Sequence, residues 1–245
     1  MRLYVAATGS GANCYVLSSN DGESLILDAG VDSKRVLPHI PDVRRILGCL
    51  VTHEHGDHAR AWLKWYFRGI PTVMSEGTFS EVNLAKRVDG VKPRMCKKLV
   101  PMTLGGFTVM PFDVQHDAAE PMGFLIRYDP TGETLVYATD TYYLKYTFPG
   151  VNYWLVECNY CEDLVDAETD LTLRRRLKES HMSLRRLLDA LQKNDLTETA
   201  KIVLVHLSDQ RSDERRMVTE IQEMTGIETV AANAGMTIEL ERIPF

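Results

Sequence analysis

The sequence predicts an α/β protein in which strands alternate with helices. Apolar runs that end in turn or polar residues indicate buried strands, and amphipathic stretches between them indicate helices. No linker, low-complexity block or internal repeat interrupts the 245 residues. A chain of this length buries roughly 70–75% of its unfolded surface, so we expect residues 1–245 to form a single domain.

Four strand-like stretches each lead into residues that can bind a metal. The stretches are residues 46–51, 107–115, 134–139 and 202–205. They are followed by the segment 52–58, His116, Asp140 and His206, respectively. Open sheets usually place their chemistry beyond the carboxyl ends of their strands. We therefore expect these residues to lie together at one edge of a sheet core.

Helical spacing marks the stretches between the strands. These are residues 57–69, 77–88, 181–193 and 212–225, with a shorter helix-like stretch at 32–41. Gly226 follows the 212–225 stretch in the C′ position where many helices end.

The chain starts in a strand-like pattern at residues 1–5 and contains no apolar segment long enough to cross a bilayer. We expect a cytoplasmic protein with no membrane partner. Five cysteines at scattered positions agree with a reducing compartment. Cys158 and Cys161 form a C-x-x-C pair without a second pair nearby, so we interpret this spacing as coincidental.

The most informative motif is residues 52–58, Thr-His-Glu-His-Gly-Asp-His. In an extended or turning segment, side chains two residues apart point the same way, so His53 and His55 can bind one ion together. Asp57 and His58 then face a second point close by. This density of ligands directly after a strand predicts a metal site.

Two of the seven histidines stand apart from this pattern. His39 lies in the 32–41 stretch and is expected at the surface. His181 precedes an amphipathic helix, and its residue context leaves two readings open. It is either a helix-terminal histidine bonded to the backbone or a functional residue.

These motifs, in this order, resemble the metallo-β-lactamase superfamily over nearly the whole chain. The resemblance is to its YycJ-like branch, allied to ribonuclease Z and to the cyclic phosphodiesterases of phosphonate metabolism. It rests on residues 9–15, 27–30, 52–58, 116–118, 139–141, 157–159 and 206–208. One departure is Ser-His-Met-Ser-Leu at residues 180–184, where the branch often has Gly-His-Leu-Ser-Asn. The resemblance implies a four-layer αββα sandwich, with two central sheets and helices outside.

The resemblance also implies two divalent metal ions and a role for each candidate residue. One ion would bind His53, His55 and His116. The other would bind Asp57, His58 and His206, with Asp140 bridging both. Asp28 would hold the metal loop without being a ligand, and His181 would lie beside the scissile phosphate. Imidazole and carboxylate donors without thiolate favour zinc, with manganese or iron as alternatives.

This site would suit phosphodiester hydrolysis. Two metal ions lower the pKa of a bridging water from ~15.7 toward about 7, and so provide a hydroxide nucleophile. His181 would act as general acid on the leaving alkoxide, so Asp57 and His181 are the expected catalytic residues. We predict a metal-dependent phosphodiesterase acting on nucleic acid, more specifically a DNA exonuclease, which could form a homodimer. The alternatives are a cyclic or small-nucleotide phosphodiesterase, a thioester or other ester hydrolase, and a binding protein without turnover.

The charge distribution bears on the substrate. A formal charge of −6 argues mildly against a nucleic-acid substrate, since proteins that bind nucleic acid use cationic patches. However, six cations flank His181: Arg174, Arg175, Arg176, Lys178, Arg185 and Arg186. Two further groups are Arg60, Lys64 and Arg68, and Arg94, Lys97 and Lys98. The aromatic stripe Trp62, Trp65, Tyr66 and Phe67 is assigned to the core and given no substrate role.

Overall fold

Two seven-stranded sheets, stacked on each other, form the centre of the computed structural model. The structure describes residues 1–87, 89–165 and 170–241, except for the side chains of residues 173 and 176. The first sheet has the order β14-β1-β2-β3-β4-β5-β6. Its strands are β1 (Arg2–Ala7), β2 (Cys14–Ser18), β3 (Ser24–Leu27), β4 (Ile46–Leu50), β5 (Thr72–Met74), β6 (Arg94–Met95) and β14 (Thr237–Glu239).

The second sheet has the order β13-β12-β11-β10-β9-β8-β7. Its strands are β7 (Met102–Leu104), β8 (Phe107–Asp113), β9 (Met122–Tyr128), β10 (Glu133–Ala138), β11 (Tyr153–Glu157), β12 (Lys201–Val205) and β13 (Glu228–Ala231). The helices are α1 (Ser33–Val36), α2 (Gly56–Ala59), α3 (Trp62–Tyr66), α4 (Glu76–Lys86), α5 (Leu171–Ser180), α6 (Leu184–Gln192) and α7 (Glu214–Thr225).

Three hydrophobic clusters confirm the predicted αββα layering. The central cluster lies between the sheets and includes Leu3 from one sheet and Val203 from the other. A second cluster joins the outer face of the second sheet to α6 and α7, and a third joins the outer face of the first sheet to α1, α3 and α4. On β12, Val203 faces the centre while Leu204 faces the helices. Strands that are covered on both faces become apolar throughout, which is why residues 202–205 form a continuous apolar run.

Parallel strands bring the candidate residues to one edge. Strands β3 to β6 pair in parallel in the first sheet, and β10 to β13 pair in parallel in the second. Their carboxyl ends therefore meet at the same rim. The strands predicted at 46–51, 107–115, 134–139 and 202–205 are present as β4, β8, β10 and β12, with bounds shifted by no more than two residues.

The helix predicted over residues 57–69 is wrong as a continuous element, because it is divided into α2 and α3. The carbonyl of Asp57, which Ala61 would use in an unbroken helix, instead accepts from the backbone N–H of Asn13 at 2.7 Å. Ala61 N–H in turn donates to the carbonyl of Ala29 at 2.9 Å. Long-range backbone bonds thus interrupt the local helix at the metal motif.

The other helices differ from their predicted bounds mainly at the ends. Helix α4 ends at Lys86, and the predicted end at residue 88 lies outside the described residues. Helix α6 begins after its N-cap Ser183, and α7 ends at Gly226 with a φ of 71°, as predicted. The strongly charged helix α5 was not predicted, because its apolar positions are too few to mark a helical face.

Candidate metal centre

Three candidate residues occupy the left-handed backbone region where strands end. Asp28 follows β3 with a φ of 62°, Asp140 lies two residues beyond β10 with a φ of 46°, and His206 follows β12 with a φ of 56°. Residues other than glycine rarely adopt this conformation, and it concentrates at functional sites. The backbone bends here so that side chains from both sheets converge on one point.

The first ligand group surrounds one oxygen of Asp140. It consists of His53, His55, His116 and Asp140, whose candidate ligand atoms lie within 4.8 Å of one another. Asp140 Oδ2 is 3.6 Å from His53 Nε2 and 3.4 Å from His116 Nε2. His116 Nε2 also faces His55 Nδ1 at 3.1 Å.

The second group surrounds the other oxygen of the same carboxylate. It consists of Asp57, His58, Asp140 and His206, within the same 4.8 Å limit. Asp140 Oδ1 is 3.3 Å from His58 Nε2 and 3.3 Å from His206 Nε2. The structure therefore brings all seven predicted metal-site residues together, divided between two groups that share Asp140. Their binding of metal stays a prediction.

The outer nitrogens of the imidazoles show that both groups fit cations. His58 Nδ1 donates to Asp28 at 2.7 Å, and His116 Nδ1 donates to the carbonyl of Ser180 at 2.9 Å. Thr52 Oγ1 donates to Asp28, so the 2.9 Å contact between His53 Nδ1 and this oxygen makes the imidazole the donor. Each of these rings then offers the lone pair of Nε2 to the centre, the tautomer that a metal requires. His53 Nε2 is buried without a hydrogen-bond partner among the described residues.

Charge within the cluster also favours cations. Burial lowers the pKa of His206, but Asp140, Asp57 and Glu157 together outweigh it and raise this pKa to about 9. Burial raises the pKa of Asp140, yet His206 and His58 hold it well below the usual range. In the second group, the carboxylates thus favour positive charge between them. Metal binding is then expected to release protons.

Asp28 holds the metal loop from beneath, as the resemblance implied. Its fully buried carboxylate accepts hydrogen bonds from Thr52 N at 2.8 Å, His58 Nδ1 at 2.7 Å and Tyr137 Oη at 2.5 Å. These donors come from the metal motif and from β10 of the other sheet. A single carboxylate therefore joins the two sheets under the site.

We predict that Asp28→Asn destabilises the fold and weakens metal binding together. The new amide would place a donor against buried donors, so we expect a loss of at least ~2 kcal/mol in unfolding free energy. Misorientation of His58 should lower metal affinity about 10–100-fold. Urea unfolding and competition with a zinc chelator measure both effects. Asp32→Asn is the matched control, because Asp32 is the partly exposed N-cap of α1, where asparagine serves equally well. Equal behaviour of the two variants would contradict the role of Asp28.

His181 lies beside the two groups and is hydrogen-bonded to a buried glutamate. Its Nδ1 is 2.6 Å from Glu157 Oε1, and its ring stacks on His206 with centroids 5.4 Å apart. Burial lowers the pKa of His181, but Glu157 outweighs it and raises the pKa above its ordinary value. Of the two readings left open, the side-chain contact with Glu157 favours a functional histidine over one bonded to the backbone.

Glu157 was not predicted to have a role, although it lay in a motif of the family resemblance. It is completely buried at the end of β11, and Oε2 accepts from the backbone N–H groups of Thr141 at 2.8 Å and Met182 at 3.2 Å. A buried acid needs such partners. The available signal was a lone glutamate ending a fully apolar strand.

The site opens into a cleft of about 380 Å³. His181 and His206 line it, together with Ser208, Gln210 and Arg211 from the segment after β12. Arg211 is half-buried, and among the described residues no carboxylate forms an ion pair with it. Sequence reasoning missed this arginine, because it follows the last ligand in a loop without regular spacing.

Other predicted residues lie away from the centre. His39 is exposed and stacks on Tyr4, which agrees with a surface position. Trp62 and Trp65 are fully buried, as expected for core residues, whereas Phe67 is 70% exposed. Cys158 and Cys161 are buried free thiols. Among the cations that flank His181, the side chain of Arg176 lies outside the described residues.

No helix within the described ranges is long and apolar enough to span a bilayer.

The sequence of this chain is similar to those of known proteins. A model of the β-lactamase superfamily domain matches residues 24–207. A curated relative, exodeoxyribonuclease YycJ of Bacillus anthracis, is 29% identical over 171 residues, which cover 64% of this chain. The chain spans 62% of the length of that relative.

Solved structures show the same fold. Zinc-bound PqqB from Methylobacterium extorquens superposes with a TM-score of 0.74 at 15% identity, covering 98% of this chain and 100% of PqqB. The short form of human tRNase Z superposes with a TM-score of 0.64 at 14% identity, covering 99% and 100% of the two chains. Identities this low establish the architecture alone.

Proposed function

The chain belongs to the metallo-β-lactamase superfamily of hydrolases, and we propose that it is a dinuclear metal-dependent phosphodiesterase that hydrolyses nucleic acid, in particular DNA as an exonuclease. The observation that carries this proposal is the Glu157–His181 pair next to the ligand groups. Hydrolysis of a phosphodiester expels a poor alkoxide leaving group, which a positioned acid can protonate. The name of the Bacillus anthracis relative, an exodeoxyribonuclease, supports DNA as substrate.

The proposed ligands are His53, His55 and His116 for one ion, and Asp57, His58 and His206 for the other, with Asp140 shared. Divalent ions in such a pair lower the pKa of a bound water and stabilise negative charge on phosphorus. Zinc is proposed, since the donors are imidazole nitrogens and carboxylate oxygens, with manganese or iron as alternatives.

The side chains around the ions perform the remaining steps. Glu157 accepts a hydrogen bond from the Nδ1–H group of His181 and so fixes the orientation of the ring. Nε2 is then the nitrogen that delivers a proton to the leaving oxygen. Glu157 also favours the protonated imidazole through its charge. Asp57 lies between His58 and His206, at 3.3 and 3.5 Å, and is placed to orient the attacking water as well as to bind metal.

A smaller substrate remains the second candidate. A cleft of about 380 Å³ is large enough for one nucleotide, and a net charge of −6 suits a substrate without a long phosphate backbone. Salt dependence separates the candidates, because affinity for a polymer falls steeply as salt rises whereas affinity for a nucleotide does not.

The direct test is a substrate panel. Metal-free, zinc-loaded and manganese-loaded protein would each be incubated with end-labelled DNA, RNA and cyclic nucleotides. We expect cleavage of DNA only with metal, by stepwise shortening from one end. Failure to cleave any of these substrates at any salt concentration would refute the proposal.

We further predict that Arg211→Ala weakens productive binding of a phosphodiester. A guanidinium that lines the cleft can form a charge-assisted bond to a phosphate oxygen, so kcat/KM should fall roughly tenfold or more. The fall should come mainly from KM. Arg35→Ala is the control, since Arg35 is exposed on α1 behind the other sheet. An unchanged KM would show that Arg211 does not contact substrate.

A further inference from the structure

A second cavity, of about 230 Å³, lies outside the catalytic cleft, between residues 142–147 and helix α6. We name it the tyrosine cavity. The lining residues that matter here are Tyr142, Tyr143, Lys145, Arg186, Asp189 and Lys193. None of them belongs to the two ligand groups or to the lining of the catalytic cleft.

The tyrosine cavity begins next to the proposed metal centre. Tyr142 is two residues beyond Asp140, and its backbone N–H donates to the carbonyl of Gln115 at 3.1 Å. Gln115 immediately precedes His116, so one end of the cavity is held between two proposed ligands. The cavity is therefore a neighbour of the centre, on the side where Asp140 and His116 leave their strands.

The aromatic rings of the cavity offer stacking surfaces. Tyr143 is 48% exposed, and its hydroxyl has no hydrogen-bond partner among the described residues. The Arg186 guanidinium lies over the Tyr142 ring, 5.3 Å from its centroid. Exposed tyrosine next to an aromatic–arginine pair is the combination on which unpaired bases stack without regard to sequence.

Positive charge dominates the same cavity in a protein whose net charge is −6. Arg186 donates to the backbone carbonyls of Lys178 at 2.5 Å and Tyr142 at 3.5 Å, which leaves its charge unneutralised. Within the described chain, Lys193 forms no ion pair. Asp189 is the single carboxylate among the described lining residues, against Lys145, Arg186 and Lys193.

The rim extends this positive charge toward β8. Asp113, at the end of β8, is bound by two lysines at once, Lys98 at 2.9 Å and Lys145 at 3.5 Å. Two cations on one carboxylate leave a net positive charge at the rim. Lys98, one member of the predicted cation group Arg94, Lys97 and Lys98, therefore adjoins the cavity through Asp113.

We propose that the tyrosine cavity is a subsite for a flanking nucleotide of single-stranded nucleic acid, with the base on Tyr143 and the backbone phosphate near Lys193 and Arg186. This inference rests on the proposed function and deepens it, because a polymer occupies the cavity whereas a lone cyclic nucleotide at the metal centre does not reach it. DNA and RNA share the chemistry involved.

The test measures binding separately from cleavage. Metal-loaded protein would be titrated into a fluorescent, cleavage-resistant phosphorothioate DNA 15-mer, its RNA counterpart and a free deoxynucleoside monophosphate. We expect Tyr143→Ala to weaken 15-mer binding roughly five- to hundredfold. Lys193→Ala should weaken it less and reduce the salt slope by about one. Turnover of bis(p-nitrophenyl) phosphate, which is too short to span both sites, should be unchanged in both variants.

Matched controls lie on the outer layer of the other sheet. Phe67→Ala removes a 70% exposed aromatic from the residue that follows α3, and Lys34→Ala removes an exposed lysine from α1. If the cavity variants bind the 15-mer as tightly as these controls do, the subsite is refuted. DNA cleavage by the wild-type protein would still support the proposed function in that case. Binding of the free mononucleotide as tight as that of the 15-mer would also refute it. Polymer binding that depends on Tyr143 and Lys193, in a protein that cleaves no nucleic acid, would support the subsite and overturn the nuclease.

Discussion

Replacing Asp140 by Ala is expected to abolish hydrolysis and to prevent the binding of a metal pair. The two oxygens of Asp140 face different ligand groups, Oδ2 toward His53 and His116 and Oδ1 toward His58 and His206. No other carboxylate among the described residues belongs to both of these groups. Without the Asp140 carboxylate, the two groups would have to hold two cations close to each other with less negative charge to offset their repulsion. We expect kcat/KM to fall by roughly 10³-fold or more, since a metal centre contributes several kcal/mol to the transition state.

Metal analysis gives a readout that does not depend on activity. After dialysis against a metal-containing buffer, elemental analysis should find two ions per wild-type chain and one or fewer in Asp140→Ala. Asp89→Ala, which removes an exposed carboxylate remote from the groups, should match the wild type. Two ions per chain in the Asp140 variant would show that the carboxylate is not a bridge.

The second large effect is expected from His181→Ala. If His181 protonates the leaving oxygen, its removal should reduce the rate of DNA cleavage about 10²–10⁴-fold. His181 forms a further cluster with Asp140, Glu157 and His206 but is not one of the seven proposed ligands, so the metal content should stay at two. Cleavage of bis(p-nitrophenyl) phosphate should suffer far less, since nitrophenolate is a good leaving group that needs no proton. The ratio of the two losses therefore isolates proton transfer.

Two further variants help to interpret the ratio between the loss on DNA and the loss on bis(p-nitrophenyl) phosphate. Glu157→Gln removes the charge that favours the imidazolium and also places an amide donor among the buried N–H groups that Glu157 accepts from. We expect an intermediate loss on DNA, and urea unfolding of this variant measures how much of that loss comes from the fold. His39→Ala, at an exposed histidine stacked on Tyr4, should behave as wild type. Equal losses on both substrates, or a loss of metal, would assign His181 a positioning role instead of proton transfer.

The family and its layering could be predicted from the sequence because their signals are local. A continuous apolar run such as residues 202–205 specifies a strand buried on both faces, and His206 at its end must then lie at the sheet edge. The segment 52–58 is similarly self-contained, since its ligands are neighbours along the chain. The structure confirms the sandwich and brings the predicted metal-site residues together, while their roles as ligands stay predictions.

Tertiary structure alone decided what each of those atoms faces. The division of Asp140 between two groups depends on contacts with His53, His116 and His206, which come from three different strand ends. The Glu157–His181 bond joins residues 24 apart, and the contact of Asp57 with Asn13 that breaks the predicted helix joins residues 44 apart.

The tyrosine cavity likewise combines residues 142–147 with a helix some forty positions later. Hydrophobic periodicity specifies which face of an element is buried, whereas hydrogen bonds and cavities between distant elements depend on how those faces pack. For this protein, the sequence thus determined the family, the layers and the set of candidate ligands. Packing of the two sheets determined which side chains each candidate ligand faces, the position of His181 beside them and the shape of the tyrosine cavity.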